Sequence, residues 1–280
     1  MDAGDGEMKA SGFIEDSIST AASEVTDLEF TGERIVPGKT AEALFHEHEE
    51  RYVFAGQYVS GKDVLDVACG TGVGTAFLRA AGARRVWGLD IDGDAIAFAK
   101  ARYLECEFLQ CDATYLCLPD NSVDVVVSFE TLEHLNNQRE FLMECRRVLR
   151  PGGTLVCSTP NLAISRWSAS NPFHFREFYP TEFRELLASD FASVELFGQR
   201  NRAFLSYVPR KMLLRVLERL QLRGRVERLV VRRAAAESFR TVFVRDASGS
   251  RESISIYRRS FLRQPTFLIA VGHVKSKEAT

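Results

Sequence analysis

The chain has 280 residues, 45% of them hydrophobic and 26% charged, with a formal net charge of −2. It is long enough to bury one good core with elaborations, and so small a net charge gives no global attraction to nucleic acid. No apolar run approaches a bilayer-spanning length, and MDAGDGEMKASG at the start lacks the basic and apolar regions of a signal peptide, so the expected location is cytoplasmic.

Residues 1–25 are small, polar and acidic, and are expected to be disordered. The first segment with a chemical signature is VLDVACGTGVG, Val64 to Gly74. Val64, Leu65 and Val67 read as a buried strand, and Gly70, Gly72 and Gly74 as a turn where a ligand can approach bare backbone. Thr75 to Ala81 then opens a helix. A second strand, Arg85 to Leu89, ends at Asp90, about two dozen residues beyond Asp66 and near the spacing of a carboxylate that accepts both ribose hydroxyls. Together these read as a nucleotide-binding βαβ unit. A dinucleotide generally requires GxGxxG beneath its pyrophosphate, whereas the spacing here is GxGxG, with Thr75 in the last position and Asp66 placed to repel a phosphate. S-adenosylmethionine (SAM) has no phosphate and carries an ammonium group that a carboxylate can pair with, so the local chemistry favours it.

Phe108 to Asp112 reads as the end of a third strand, with Asp112 and the backbone of Ala113 placed to read an adenine amino group. Val123 to Phe129 is a near-continuous apolar run, as expected of a central parallel strand, and it ends at Glu130. Gln138 to Leu149 has helical spacing, with Phe141, Leu142, Cys145 and Val148 on one face and a stop at Arg150-Pro151-Gly152-Gly153; Thr154 to Ser158 is the fifth strand. Ser193 to Phe197 reads as the sixth strand and Thr266 to Val274 as the seventh. Between them, residues 200–264 are an insertion longer than a typical connection. Its arginines are opposed up to Arg240 only by Glu218, Glu227 and Glu237, and Met212, Leu213, Val216, Leu217 and Leu220 have helical spacing, so it reads as basic amphipathic helices. A substrate lid, an oligomer surface for a homo-oligomer, or peripheral contact with a membrane or an anionic acceptor would each use such a segment.

LDVACGTGVG, GLDID, QCDA, SFETLEHL and RRVLRPGGTLVCSTPN, in that order from about Gly61 to Asn161, resemble the class I SAM-dependent methyltransferases. The resemblance implies an α/β fold with a Rossmann-like, seven-stranded, mostly parallel sheet of order 3-2-1-4-5-7-6. Residues 26–199 and 265–280 would form that domain, with the helical insertion 200–264 between the last two strands. It implies SAM as cofactor and S-adenosylhomocysteine as product. Carried over by residue, Asp66, Ala68, Gly70 and Gly72 become methionine-side contacts, Asp90 and Ile91 ribose and adenine contacts, and Asp112 and Ala113 the adenine-edge pair; Glu130 closes the pocket. TGERIVPG, HEERYVFAGQYV and NPFHFREFYPTEF resemble a bacterial subgroup associated with glycan and sugar methylation. In it, Gly32, Glu33 and Arg34 and the helix carrying Arg51 and Tyr52 would fold over the cofactor.

Methyl transfer from a sulfonium is an in-line displacement, so the protein aligns the reactants and keeps water out. An alcohol acceptor also needs its proton removed by a base or a metal. His134, just past the fourth strand, is the first candidate for general base. His174 is the second, on an aromatic loop whose Phe173, Phe175 and Phe178 could seal out water. No [DN]PP[YFW] tetrapeptide and no Pro-Cys nucleophile follow the fourth strand, which argues against base methylation of DNA. O-methylation of a sugar or glycan-like small acceptor is the expected activity. The alternatives are an RNA or protein acceptor docked on the basic insertion, or a catalytically silent SAM-binding regulatory partner. The cysteines form no CxxC pair and are expected as free thiols; no metal site is expected, and a divalent metal is not indicated.

Overall fold

The computed structural model describes residues 42–166, 171–201, 241–242 and 265–276, together with Val36, Gly38 and Thr40. Strands β1 (Asp63–Val67), β2 (Arg85–Asp90), β3 (Glu107–Gln110), β4 (Val123–Phe129) and β5 (Leu149–Pro160) pair in parallel in the order β3-β2-β1-β4-β5. Beyond β5 the sheet continues through β8 (Phe267–His273), antiparallel to both β5 and β6 (Ser193–Asn201). This is the expected seven-strand order 3-2-1-4-5-7-6, with β8 in the seventh place. A two-residue strand, β7 (Thr241–Val242), pairs antiparallel with Arg200 and Asn201 at the end of β6. It falls within the insertion read as helical, whose helices over residues 210–236 lie outside the described residues, as does the tail 1–25.

The strands sort their side chains by period two into two cores. Leu65, Val67, Val126, Leu155, Cys157, Leu268 and Ala270 face one side, under α4 (Gln138–Val148) and α6 (Pro180–Ala188). Val64, Val125, Val127, Val156, Ile269 and Val271 face the other, under α1 (Glu42–Gly56) and α2 (Val73–Ala80). Val123 and Val125 fall on opposite faces despite their even spacing, because the β4–β5 register shifts between them. The expected stop at Pro151-Gly152-Gly153 is instead part of β5. The chain leaves α4 at Val148 and pairs at once, Val123 with Leu149, then bends where a Cβ on Gly153 would lie 2.8 Å from the Arg150 carbonyl oxygen.

Between β2 and β3 runs α3 (Gly93–Arg102), started by Asp92, whose Oδ1 accepts from Asp94 N at 2.8 Å and Ala95 N at 3.1 Å. After β5 come a single helical turn, α5 (Leu162–Ser165), and α6, which has Pro180 in its first turn and Glu182 Oε2 accepting from Tyr179 N at 2.9 Å. The carboxyl ends of β1, β2, β3 and β4 lie side by side, and the loops leaving them open onto one edge of the sheet where the strand order reverses. No helix among the described residues is long and apolar enough to cross a membrane.

Candidate functional site

At that edge lies a cavity of about 450 Å³. Ala68, Cys69, Gly70, Thr71, Val73 and Gly74 line it after β1, Asp90, Ile91 and Asp92 after β2, Cys111, Asp112 and Ala113 after β3, and Glu130, Thr131, His134 and Leu135 after β4. Four loops far apart in sequence thus converge. The first is the tightest: Ala68, Gly70 and Gly72 all have positive φ, so the chain turns sharply back into α2. Asp90 holds this turn, accepting from Gly70 N at 2.8 Å through Oδ2 and from Asp92 N at 2.9 Å through Oδ1.

The glycines of the turn answer to different neighbours. A Cβ on Gly74 would lie 1.9 Å from the Tyr52 ring, and one on Gly72 would lie 2.8 Å from Ala99 Cβ and 2.9 Å from Phe108. Gly74 therefore admits α1 and Gly72 admits α3 and β3, whereas Gly70 faces open space and lines the cavity. Gly72 does not line it. Neither does Asp66, which is fully buried beneath the turn and accepts from Thr75 Oγ1 at 2.7 Å and from the Tyr52 hydroxyl at 3.2 and 3.3 Å. Burial pushes the Asp66 carboxyl up to about 7, against those two hydroxyls, and the nearby Asp90 charge adds to the rise. Tyr52 connects the two levels, since it both lines the cavity and bonds Asp66.

The remaining predicted contacts are placed as follows. Ile91 is largely exposed on the rim. Asp112 accepts from Thr114 N and Thr114 Oγ1, both at 2.7 Å, and these bonds hold its carboxyl below the usual range. Glu130 sits at a left-handed backbone position and accepts from Ser158 Oγ at 2.6 Å; burial raises its pKa, opposed by Arg51, Ser158 and His174. Arg51, on the helix expected to fold over the cofactor, is fully buried and is not in the lining. Its Nη1 donates to Gln199 Oε1 at 2.7 Å and its guanidinium stacks 4.6 Å above the Phe267 ring, joining α1 to β6 and β8. Gly32, Glu33 and Arg34 lie outside the described residues.

The structure brings His134 and His174 together. Their rings meet edge to face at 4.7 Å, one on a 3₁₀ turn (Leu132–His134) after β4 and the other on the loop before α6. His134 lines the cavity, with Nδ1 3.1 Å from the Phe173 carbonyl oxygen. His174 stands behind it, with Nδ1 2.6 Å from Glu177 Oε1 and Nε2 2.8 Å from Asn171 Nδ2. Of the three phenyl rings expected to seal the loop, Phe173 and Phe175 are exposed, but Phe178 is buried in the core against Phe183. Its position two residues before α6 directs it inward with that helix.

Sequence reasoning expected the helix of Tyr52 over the cofactor but did not single out Phe45, His48 and Glu49 on the same face. Phe45, His48, Glu49 and Tyr52 line the cavity from α1 at spacings of three, four and seven, one helical face. That pattern was legible. Burial and the Arg51 charge push the His48 pKa well below the ordinary value, so its imidazole is neutral at pH 7.

Among the described residues five carboxylates line the cavity, from Glu49, Asp90, Asp92, Asp112 and Glu130, and no lysine or arginine does. A pyrophosphate would meet no counter-charge here, whereas a cationic sulfonium carrying an ammonium group meets complementary charge, so SAM fits the donor set. The model of the family described as "Methyltransferase domain" matches residues 65–157. A probable S-adenosylmethionine-dependent methyltransferase of Mycolicibacterium smegmatis is 45% identical over 172 residues, 60% of this chain and 66% of that protein. One from Mycobacterium tuberculosis is 41% identical over 187 residues, 65% of this chain and 67% of that protein. The chain belongs to the class I SAM-dependent methyltransferases. The matched stretch spans about two thirds of these relatives' length. A solved putative methyltransferase from Bacillus halodurans, at 15% identity, shares the fold with a TM-score of 0.51, covering 81% of this chain and 98% of that one. The methyltransferase takes SAM as cofactor and leaves S-adenosylhomocysteine.

Proposed function

We propose that this methyltransferase methylates a hydroxyl oxygen on a sugar or glycan-like acceptor. The observation that carries the reading is the make-up of the cavity's end at β4, where Glu130 and His134 both line the space. SAM supplies a methyl group on a sulfonium, and an amine would need no base to accept it, but an alcohol does. As the acceptor oxygen forms its bond to the methyl carbon, the carbon–sulfur bond breaks and its electron pair returns to sulfur. The hydroxyl proton is taken up at the end lined by His134 and Glu130. Phe173 and Phe175 lie exposed on the loop whose Phe173 carbonyl oxygen meets His134, and flat apolar rings of this kind suit the faces of a sugar; α1 lines the opposite wall and closes it against water.

Two measurements test this. Mass spectrometry of nucleotide sugars and glycan termini incubated with labelled SAM reads the product, and a hydroxyl-linked methyl is expected. His134→Ala is expected to lower kcat at least tenfold with the SAM dissociation constant unchanged. Methyl incorporated only on nitrogen, or an unaltered kcat in the variant, would sink the reading.

A further inference from the structure

We propose that Glu133, His134 and His174 form a binding site for one divalent transition-metal ion beside the acceptor end of the cavity. One donor atom of each lies within 4.8 Å of those of the other two. Ligands at about 2.1 Å from one ion sit roughly 3 to 4 Å apart, so side-chain rotation of about an ångström would close the set.

Two features mark the trio as more than three neighbours. The first is Glu133, which is fully buried: its Oε2 accepts from Thr159 Oγ1 at 3.1 Å, but its Oε1 is shielded from solvent and has no hydrogen-bond partner among the described residues. A carboxylate oxygen out of water with no donor is costly, and a cation is the partner that would offset the cost. The second is the way both imidazoles are held. With its proton on Nδ1, His134 donates to the Phe173 carbonyl, and with its proton on Nδ1, His174 donates to the Glu177 carboxylate. Each assignment leaves Nε2 as the nitrogen with a lone pair, the arrangement by which metal-ligating histidines are oriented by an acceptor behind them. Asn171 Nδ2, 2.8 Å from His174 Nε2, donates to that lone pair in the absence of an ion.

The backbone keeps these groups together. Glu133 O accepts from Phe175 N at 2.8 Å, so the turn after β4 and the loop carrying His174 are joined by main chain as well as by side chains. Two imidazoles and one carboxylate suit Zn²⁺, Co²⁺, Fe²⁺ or Mn²⁺ rather than Ca²⁺ or Mg²⁺. The inference deepens the O-methylation reading and rests on it for the ion's role, since a cation beside the acceptor lowers the cost of removing the hydroxyl proton. His134 is then a ligand, and Glu130 is the lining group left to take the proton.

The test is metal binding by the full-length, untagged protein after chelator treatment. Titration with Zn²⁺, and separately with Co²⁺ followed by visible absorption, is expected to give one equivalent bound. Glu133→Gln and His174→Ala should each weaken it at least tenfold without changing SAM affinity. Should Glu133→Gln fail to fold, His174→Ala, on the loop, decides. No saturable binding of either ion, or equal binding in His174→Ala, overturns the site. The two readings can fail separately. An ion bound as expected with no hydroxyl methylated leaves the site standing and removes O-methylation; undiminished hydroxyl methylation by metal-free protein removes the ion's role and leaves O-methylation standing.

Discussion

Asp63 and Asp66 stand three residues apart on β1, both fully buried, and the protein treats them in opposite ways. At the amino end of the strand, Asp63 is surrounded by cations. Arg84 donates through Nε at 2.9 Å and Arg85 at 3.2 and 3.3 Å, Arg150 Nη2 approaches to 3.1 Å, and together they hold the carboxyl well below its usual range. At the carboxyl end, Asp66 has two hydroxyls and, among the described residues, no cation, and its carboxyl is pushed up to about 7. The difference runs through the whole sheet. One edge is closed by compensated charge, and at the other no lysine or arginine among the described residues lines the cavity, the condition a positively charged ligand requires.

The largest break in this contrast comes from the open edge. Asp90→Ala removes the acceptor for Gly70 N and Asp92 N together with the carboxylate expected at the ribose. Charge-assisted hydrogen bonds of this kind are worth about 1.5–3 kcal/mol, so SAM affinity by calorimetry should fall on the order of a hundredfold while the protein stays folded. A dissociation constant within threefold of the original would show that the loop needs no such tie.

The closed edge should respond in stability and not in binding. Asp63→Asn leaves three arginines facing a neutral amide, and their partial exposure screens part of the loss. A decrease of roughly 2 kcal/mol in unfolding free energy is expected from denaturant titration at pH 7, with SAM affinity unchanged. Because the folded-state pKa of Asp63 is depressed, its contribution is present above the unfolded value and is lost as pH falls below about 4. The variant should therefore lose less stability than the parent on acidification.

The donor half of the site was legible because its signals are local: a strand, closely spaced glycines, and a carboxylate one βα unit later. The acceptor half is assembled from residues that meet only in the fold. His134 and His174 can be singled out in the sequence one at a time, but their ring contact depends on the loop from β5 folding back over the turn after β4. Glu133 was not singled out in the sequence, and its burial is visible only in the fold. Arg51 lies on the helix expected over the cofactor but turns into the core, since its partner Gln199 comes 148 residues later on a strand that sequence periodicity cannot dock against α1. Asp66 was read as facing the ligand directly; the chain buries it one layer deeper, where Thr75, the residue that breaks the dinucleotide pattern, supplies its shortest bond.

That buried layer gives the smallest and most specific effect. The folded-state pKa of Asp66, about 7, lies above the value near 3.9 of an aspartate in the unfolded chain. Between these two values the folded protein holds a proton that the unfolded chain has released, so stability from this group is full below about pH 4 and falls as pH rises toward 7. Asp66→Asn carries a neutral side chain of the same shape at every pH. At pH 5, where Asp66 is itself protonated, the variant's stability should lie within about 1 kcal/mol of the parent's, the scale of one exchanged neutral hydrogen bond. Between pH 5 and 8 the parent should lose stability relative to the variant, measured as a narrowing and then reversal of the gap between their denaturation midpoints. Parallel curves across that range would mean that Asp66 ionises normally, and that Tyr52 and Thr75 stabilise a buried charge at the base of the cofactor site.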